Sequence, residues 1–140
     1  MKPRITVITL AVNNLEQSFN FYRRGLGLPS EGIIGQEFEN GAVAFFELQN
    51  GLKLALWERK SLAEEVNLPI DPSSSIEFTI GHNVGSKREV DQVMLEAEKA
   101  GAKIIDPAKD VFWGGYSGHF LDLDGHLWEV VWNPEWELEG

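Results

Sequence analysis

Cysteine is absent from the 140-residue sequence. Disulfide bonds, thiolate metal sites and a cysteine nucleophile are therefore excluded. Basic residues are scarce, since 12 lysines and arginines face 22 aspartates and glutamates and give a formal net charge of −10. Phosphate backbones are recognised by clustered lysine and arginine, so we expect no nucleic-acid partner. No apolar run approaches the roughly 18 to 20 residues of a membrane-spanning helix, and we expect no membrane span.

Hydrophobic residues make up 43% of the chain and aromatic residues 11%, which is enough to form a packed core. Lys2 and Arg4 precede the apolar run Ile5–Val12, as at the start of a signal peptide. No small-residue cleavage site follows this run, and a helix-start pattern comes next. We therefore interpret the run as a buried strand and predict a cytoplasmic protein, with which the lack of cysteine is compatible.

Negative charge is concentrated in the second half of the chain. Residues 1–70 contain 7 basic and 8 acidic side chains, whereas residues 71–140 contain 5 and 14. A field of this sign attracts cationic ligands and repels anionic ones. The alternative is that the acidic surface serves only solubility.

An internal repeat organises the sequence. Asn50–Gly51 and Asp124–Gly125 lie 74 positions apart, and so do Leu26–Gly27 and Ala100–Gly101. The first pair predicts two-residue hairpin turns, because Asn-Gly and Asp-Gly favour type I′ geometry. The second pair ends two helical patterns. The shared offset predicts two modules of one fold.

Each module is predicted to run strand, helix, strand, strand, strand. The helices begin with capping-box patterns at Asn14 with Gln17 and at Ser86 with Glu89. The predicted strands are Ile5–Val12, a short strand near Ile33, Ala42–Leu48, Leu52–Trp57, Ser75–Ile80, Lys103–Ile105, Gly118–Leu123 and Leu127–Trp132.

The predicted fold class is α+β, with the two tandem βαβββ modules forming a curved, cup-like mixed sheet and the helices on its outer face. Residues 1–140 form a single domain, with module one at about 4–59 and module two at about 75–133. A linker rich in proline and serine occupies about 60–74, and a tail occupies 134–140. One helix covers one face of each sheet, which leaves the concave face to alternate strand residues.

Strand alternation assigns several polar and aromatic side chains to the concave face. This set consists of Thr9, Phe45, Ser75, Glu77, His119 and Glu129. Phe112, Trp113 and Tyr116 form an aromatic loop that contains glycine, and Trp57 adds an aromatic side chain at the rim. These aromatic residues predict a wall for a flat or cationic ligand. The alternative is that they close the end of the sheet as packing residues.

The sequence resembles the vicinal oxygen chelate superfamily, which includes glyoxalase I, bleomycin-resistance proteins and extradiol dioxygenases. The resemblance is carried by Ile8–Val12 followed by Leu15–Tyr22 and Leu26–Gly27, and by Gly118–Glu129. It covers nearly the whole chain. It implies the paired-module fold, a homodimer, and ligand cavities within the curved sheets.

Metalloenzymes of that superfamily bind a divalent ion at four positions, usually His and Glu, on the first and last strands of each module. The resemblance places these positions at Val7, Ala55, Ser75 and Glu129. Only Glu129 carries a usual ligand, so we expect no four-ligand metal site and no cofactor. A weakly held divalent metal, with His119 beside Glu129, is the alternative.

The resemblance implies a glyoxalase/bleomycin-resistance-like protein that binds a small organic molecule, cationic or aromatic, without the usual metal. Glu129, Glu77 and His119 supply polarity in this hypothesis, and aromatic residues shape the pocket. The alternative is a lyase, isomerase or dioxygenase of the same superfamily that uses Glu129 as base or metal ligand. A third possibility is a structural dimer whose cup is filled by side chains.

Overall fold

A computed structural model describes residues 1–138. The chain divides into two compact units, Met1–Pro72 and Ser73–Gly140. The first unit contains β1 (Val7–Val12), α1 (Leu15–Asn20), β2 (Ile33–Ile34), β3 (Val43–Glu47), β4 (Lys53–Glu58) and α2 (Arg59–Val66). The second contains β5 (Ile80–Asn83), α3 (Lys87–Ala100), β6 (Lys103–Asp110), β7 (Tyr116–Leu121) and β8 (Leu127–Trp132).

Both sheets have the same topology. The strand order is β1-β4-β3-β2 in the first unit and β5-β8-β7-β6 in the second. In each unit the first and last strands pair in parallel, and the remaining pairs are antiparallel. The α+β class and the two tandem modules are therefore confirmed.

The predicted helix starts are also present. The backbone N–H of Gln17 donates to Asn14 Oδ1 at 3.0 Å, and that of Glu89 donates to Ser86 Oγ at 3.1 Å. These bonds engage amide groups that have no partner within the first helical turn. α3 ends at Gly101, whose φ of 110° lies in the left-handed region that glycine adopts without strain. In the first unit, a π-helical turn at Phe21–Gly25 continues α1.

Each sheet packs one face against its helix. In the first unit the buried Phe46 ring lies 5.7 Å from the Phe19 ring of α1. In the second, Phe120 stacks on Trp128 at 6.0 Å, and a Cβ on Gly118 would lie 2.8 Å from Met94 Cε of α3. Because side chains alternate along a strand, the neighbouring residues lie on the opposite side, which we call the open face. The predicted alternation of β3, β7 and β8 agrees with this arrangement.

The strand predicted at Ser75–Ile80 is wrong in its position. β5 begins at Ile80, and the preceding Ile76 and Phe78 are 84% and 51% exposed. The partner strand explains the difference, because β8 begins at Leu127 and Ile80 pairs with Trp128. Residues before Thr79 lie beyond the first residue of β8 and therefore have no partner on that strand. The hydroxyl of Thr79 donates to the carbonyl of Leu127 at 3.4 Å.

The two predicted hairpin turns differ from each other. Asn50–Gly51 has positive φ at both residues (52° and 82°), as a type I′ turn requires. At Asp124–Gly125, only Gly125 has a positive φ, at 84°. There, Asp122 Oδ1 accepts from the N–H groups of Asp124 (2.9 Å) and His126 (2.8 Å), and its Oδ2 lies 2.8 Å from His126 Nδ1. The aspartate side chain replaces the tight turn by a longer loop.

The segment predicted as a linker is partly helical. α2 occupies Arg59–Val66 and ends at Asn67, which has a left-handed φ of 56°. The boundary between the units, at Pro72, lies within the predicted segment. Of the tail predicted at 134–140, residues 139 and 140 lie outside the described residues. Within 1–138, no helix is long and apolar enough to cross a membrane.

Candidate functional site

Three strands of the second sheet place Gly81, Glu129 and His119 side by side. Register pairs Gly81 of β5 with Glu129 of β8, and Glu129 with His119 of β7. On the next strand, Asp106 of β6 pairs with His119. Gly118 faces α3, so the alternation of side chains places this row on the open face.

Asp106, His119 and Glu129 form a continuous polar array. His119 Nδ1 lies 2.8 Å from Asp106 Oδ2, and His119 Nε2 lies 3.1 Å from Glu129 Oε2. Lys109 Nζ donates to the other oxygen of Asp106 at 2.6 Å. The His119, Asp106 and Glu129 side chains are 25%, 30% and 35% exposed, so a ligand can reach them from solvent.

The array fixes the orientation of the imidazole. The hydrogen bonds from Lys109 and from His119 hold the pKa of Asp106 below its usual range. Asp106 is therefore an ionised acceptor for the N–H at Nδ1, and Nε2 lies 3.1 Å from Glu129 Oε2. The partly exposed Glu129 carboxylate can accept a hydrogen bond or a proton from a bound molecule.

We expect Asp106→Asn to destabilise the protein at pH 7 and to have a smaller effect at pH 3. The folded-state pKa of Asp106 is lowered, so its ionised form contributes stability above the unfolded value of about 3.9. That contribution is lost as the pH falls through the lower folded value. Urea unfolding of both proteins at the two pH values measures the difference.

Asp110→Asn is the matched control, because Asp110 lies on the same strand but outside the array, where it pairs with Lys87. A loss of stability at pH 7 as large as that of Asp106→Asn would show that pairing with a lysine alone accounts for the effect. An Asp106→Asn effect that is equal at pH 7 and pH 3 would show that the carboxylate charge of Asp106 is not involved.

The sequence and the fold are similar to those of known proteins. A family model described as the Glyoxalase/Bleomycin resistance protein/Dioxygenase superfamily matches residues 4–130. This chain belongs to that superfamily. A glyoxalase-related enzyme from Fulvimarina pelagi is 33% identical, with 99% of this chain and 94% of that chain covered and a TM-score of 0.83.

Other solved structures are more distant in sequence and share the fold. Lactoylglutathione lyase from Agrobacterium tumefaciens is 20% identical, with 99% and 100% of the two chains covered and a TM-score of 0.71. A fosfomycin resistance protein, FosX, from Listeria monocytogenes, in complex with Mn(II) and 1S,2S-dihydroxypropylphosphonic acid, is 21% identical. Its match covers 93% of this chain and 90% of that chain, with a TM-score of 0.66. No curated protein matches this chain.

Strand register corrects one of the four positions at which superfamily metalloenzymes hold their ion. In the first unit, Val7 lies two residues before the β1 residue that pairs with Ala55. The equivalent residue of the second unit lies two before the β5 partner of Glu129. That residue is Thr79, not the predicted Ser75.

The superfamily metal set does not fit this chain. Val7 and Ala55 have no lone pair on their side chains, and Thr79 offers only a hydroxyl that donates to a backbone carbonyl. Glu129 is the single carboxylate at the four positions, and His119 contacts it. Divalent ions in proteins need several histidine, carboxylate or thiolate ligands in a defined geometry.

A different group of possible metal ligands lies at the β7–β8 loop. Within the described chain, Asp122, Asp124 and His126 place one ligand atom each within 4.8 Å of one another. The hydrogen bonds that the Asp122 carboxylate accepts from Asp124 and His126 account for this proximity. The group therefore has a structural explanation without an ion.

The structure brings together only part of the predicted site. His119 and Glu129 are in contact, whereas Glu77 and Ser75 lie ahead of β5 and do not follow its alternation. Tyr116 lies on the helix side, where its hydroxyl donates to Asp91 of α3 at 2.7 Å. This bond to a carboxylate raises the pKa of Tyr116. Tyr116 therefore does not share the face of His119 and Glu129.

Phe112 and Trp113 lie in the loop between β6 and β7 and not on a strand of the polar row. Phe112 is fully exposed, and the Trp113 ring packs over the backbone of Gly115, where a Cβ would lie 2.2 Å from it. The hairpin bond from the Val111 N–H to the Gly115 carbonyl, 3.0 Å long, closes this loop.

Three predicted residues belong to the first unit. Thr9 and Phe45 both pair with Ala55, so Thr9–Ala55–Phe45 is the equivalent of the row Gly81–Glu129–His119. Trp57 donates from Nε1 to the carbonyl of Asn40 at 2.8 Å. The row of the first sheet has no ionisable side chain.

Proposed function

We propose that this chain binds a small organic molecule on the open face of the second sheet, with Glu129 as the principal polar contact. The polar array of Asp106, His119 and Glu129 carries this proposal. His119 is hydrogen-bonded to Asp106, and its Nε2 lies 3.1 Å from Oε2 of the partly exposed Glu129 carboxylate. Within residues 1–138, His119 is the polar partner of the Glu129 side chain.

The proposed ligand is cationic or aromatic, and the proposed site functions without a metal or other cofactor. The acidic excess of residues 71–140, 14 acidic against 5 basic side chains, supports a cation. The misfit of the superfamily metal positions supports a metal-free site.

We expect a binding ligand to stabilise the wild type but not Glu129→Gln. A ligand at about 100 times its dissociation constant adds about 2.7 kcal/mol to the free energy of unfolding, which raises Tm by a few degrees. Glutamine keeps the size of the side chain but removes the charge. Thermal unfolding with a panel of cationic and aromatic compounds measures the shift.

The same assay tests the metal. EDTA-treated protein is unfolded with Ni²⁺, Zn²⁺, Mn²⁺, Co²⁺, Fe²⁺ or Mg²⁺. For the wild type and for Glu129→Gln, the curve with each ion is expected to superimpose on the ion-free curve of the same protein. An ion that raises the wild-type Tm only when Glu129 is present would contradict the metal-free proposal.

The alternative function is a lyase, isomerase or dioxygenase with Glu129 as base. The orientation of His119 by Asp106 favours it, because catalytic bases are commonly oriented by a hydrogen-bonded neighbour. The lyase and the glyoxalase-related enzyme among the similar structures give it a precedent. Turnover that is lost in Glu129→Gln would establish this alternative.

We also propose that the chain forms a homodimer and acts in the cytoplasm. Val7, Ile34 and Phe45 lie on the open face of the first sheet and are 44%, 51% and 36% exposed. Apolar side chains exposed together often mark an interaction surface. The cysteine-free sequence is compatible with a reducing compartment.

A further inference from the structure

Neither the backbone conformation nor the surrounding space at position 81 requires a glycine. Seven glycines of the described chain have φ between 73° and 111°, where other residues are strained. At Gly41, Gly115 and Gly118, a Cβ would lie 2.8 Å or less from another atom. At Gly81 the backbone belongs to strand β5, and a Cβ would meet only Asn83 Oδ1, at 3.9 Å.

The missing side chain leaves space beside the polar array. Glycine weakens a strand interior, and it often marks a place where a ligand approaches the backbone closely. Gly81 is exposed, and it pairs directly with Glu129. The open space therefore lies next to the carboxylate, on the side opposite His119.

We infer that Gly81 determines ligand specificity, because the ligand lies over its backbone and presents an ammonium group to Glu129. This inference rests on the proposed function. His119 contacts Oε2 of Glu129, so the second oxygen accepts the ligand's N–H. The amide of Asn83 borders the same space. The acidic charge of residues 71–140 favours an ammonium group over a carboxylate.

Benzylammonium is a suitable probe, because it joins an ammonium group to a small apolar ring. In a titration followed by amide NMR, the wild type is expected to show shifts at Gly81, Glu129 and His119. Gly81→Val should weaken binding about tenfold or more, because its methyl groups fill the space, and Gly81→Ala should weaken it less. Benzoate is expected not to bind.

Gly85→Ala is the matched control. A Cβ there would make an ordinary contact, 3.6 Å from Glu89 Oε1, in the loop before α3 and outside the row. We expect this variant to bind benzylammonium as the wild type does. A Gly85→Ala loss equal to that of Gly81→Ala would overturn the assignment to Gly81.

Stability separates this role from a structural one. Valine suits a strand better than glycine, so Gly81→Val is expected to raise the midpoint of urea unfolding while it weakens binding. A lower midpoint would show that the fold requires Gly81, and it would overturn the inference.

The inference and the proposed function fail in different ways. If Gly81→Val binds the probe normally and Glu129→Gln does not, the role of Gly81 is wrong and the site on Glu129 stands. If the wild type does not respond to benzylammonium, the ammonium class is wrong. If Glu129→Gln binds the probe as the wild type does, the proposed function itself is wrong.

Discussion

Replacement of Phe120 by alanine is expected to lower the free energy of unfolding by about 3–5 kcal/mol. Phe120 is 1% exposed on the helix side of β7, and its ring stacks parallel to that of Trp128 with the centroids 6.0 Å apart. Truncation removes the transfer free energy of the ring and leaves a cavity in a close-packed region. Urea unfolding followed by circular dichroism measures the loss.

Phe112→Ala is the control for this prediction, because Phe112 is fully exposed and the change should stay within about 0.5 kcal/mol. Phe46→Ala places the same truncation in the first unit, where Phe46 is 0% exposed. If Phe120→Ala costs no more than Phe112→Ala, the packing of β7 described above is wrong.

Replacement of Asp122 by alanine is expected to cost about 2–4 kcal/mol. The Asp122 side chain is 1% exposed and accepts from two backbone N–H groups and from the ring of His126. Alanine leaves these donors without their acceptor, and hydrogen bonds to charged groups are the stronger ones. Urea unfolding gives the cost, and amide exchange at Asp124 and His126 shows whether the loop opens.

Asp122→Asn is the informative comparison for the loop. The asparagine side chain keeps one oxygen acceptor, so we expect a smaller loss than in Asp122→Ala. Equal losses would indicate that the charge, rather than the acceptor geometry, holds the loop.

The fold was predictable because several local signals agree. Helix caps, alternating strands and a repeated turn dipeptide all indicate two equivalent modules. One error came from the strand predicted at Ser75–Ile80, which placed a superfamily metal position at Ser75. The N-caps Asn14 and Ser86 lie 72 positions apart, whereas the last-strand residues Ala55 and Glu129 lie 74 apart. The first strands precede the N-caps, so their equivalent residues are 72 apart and Val7 corresponds to Thr79.

The site was predictable where the strands are regular. β7 and β8 pair without interruption, so alternation correctly put His119 and Glu129 on one face. Asp106 was missed because β6 has register shifts on both sides of it, and alternation does not continue through such irregularities. Pro107 was the one available signal, since proline in a strand indicates an edge strand or a bulge.

The two equivalent rows differ in what they can recognise. Thr9–Ala55–Phe45 offers a hydroxyl and apolar surface, whereas Gly81–Glu129–His119 offers a charged acceptor beside an open space. Duplication of a module would supply two copies of any site it contained. In this chain the fold of the module is present twice, but the ionisable side chains of the row are present only in the second unit. The proposed site therefore binds one ligand per chain.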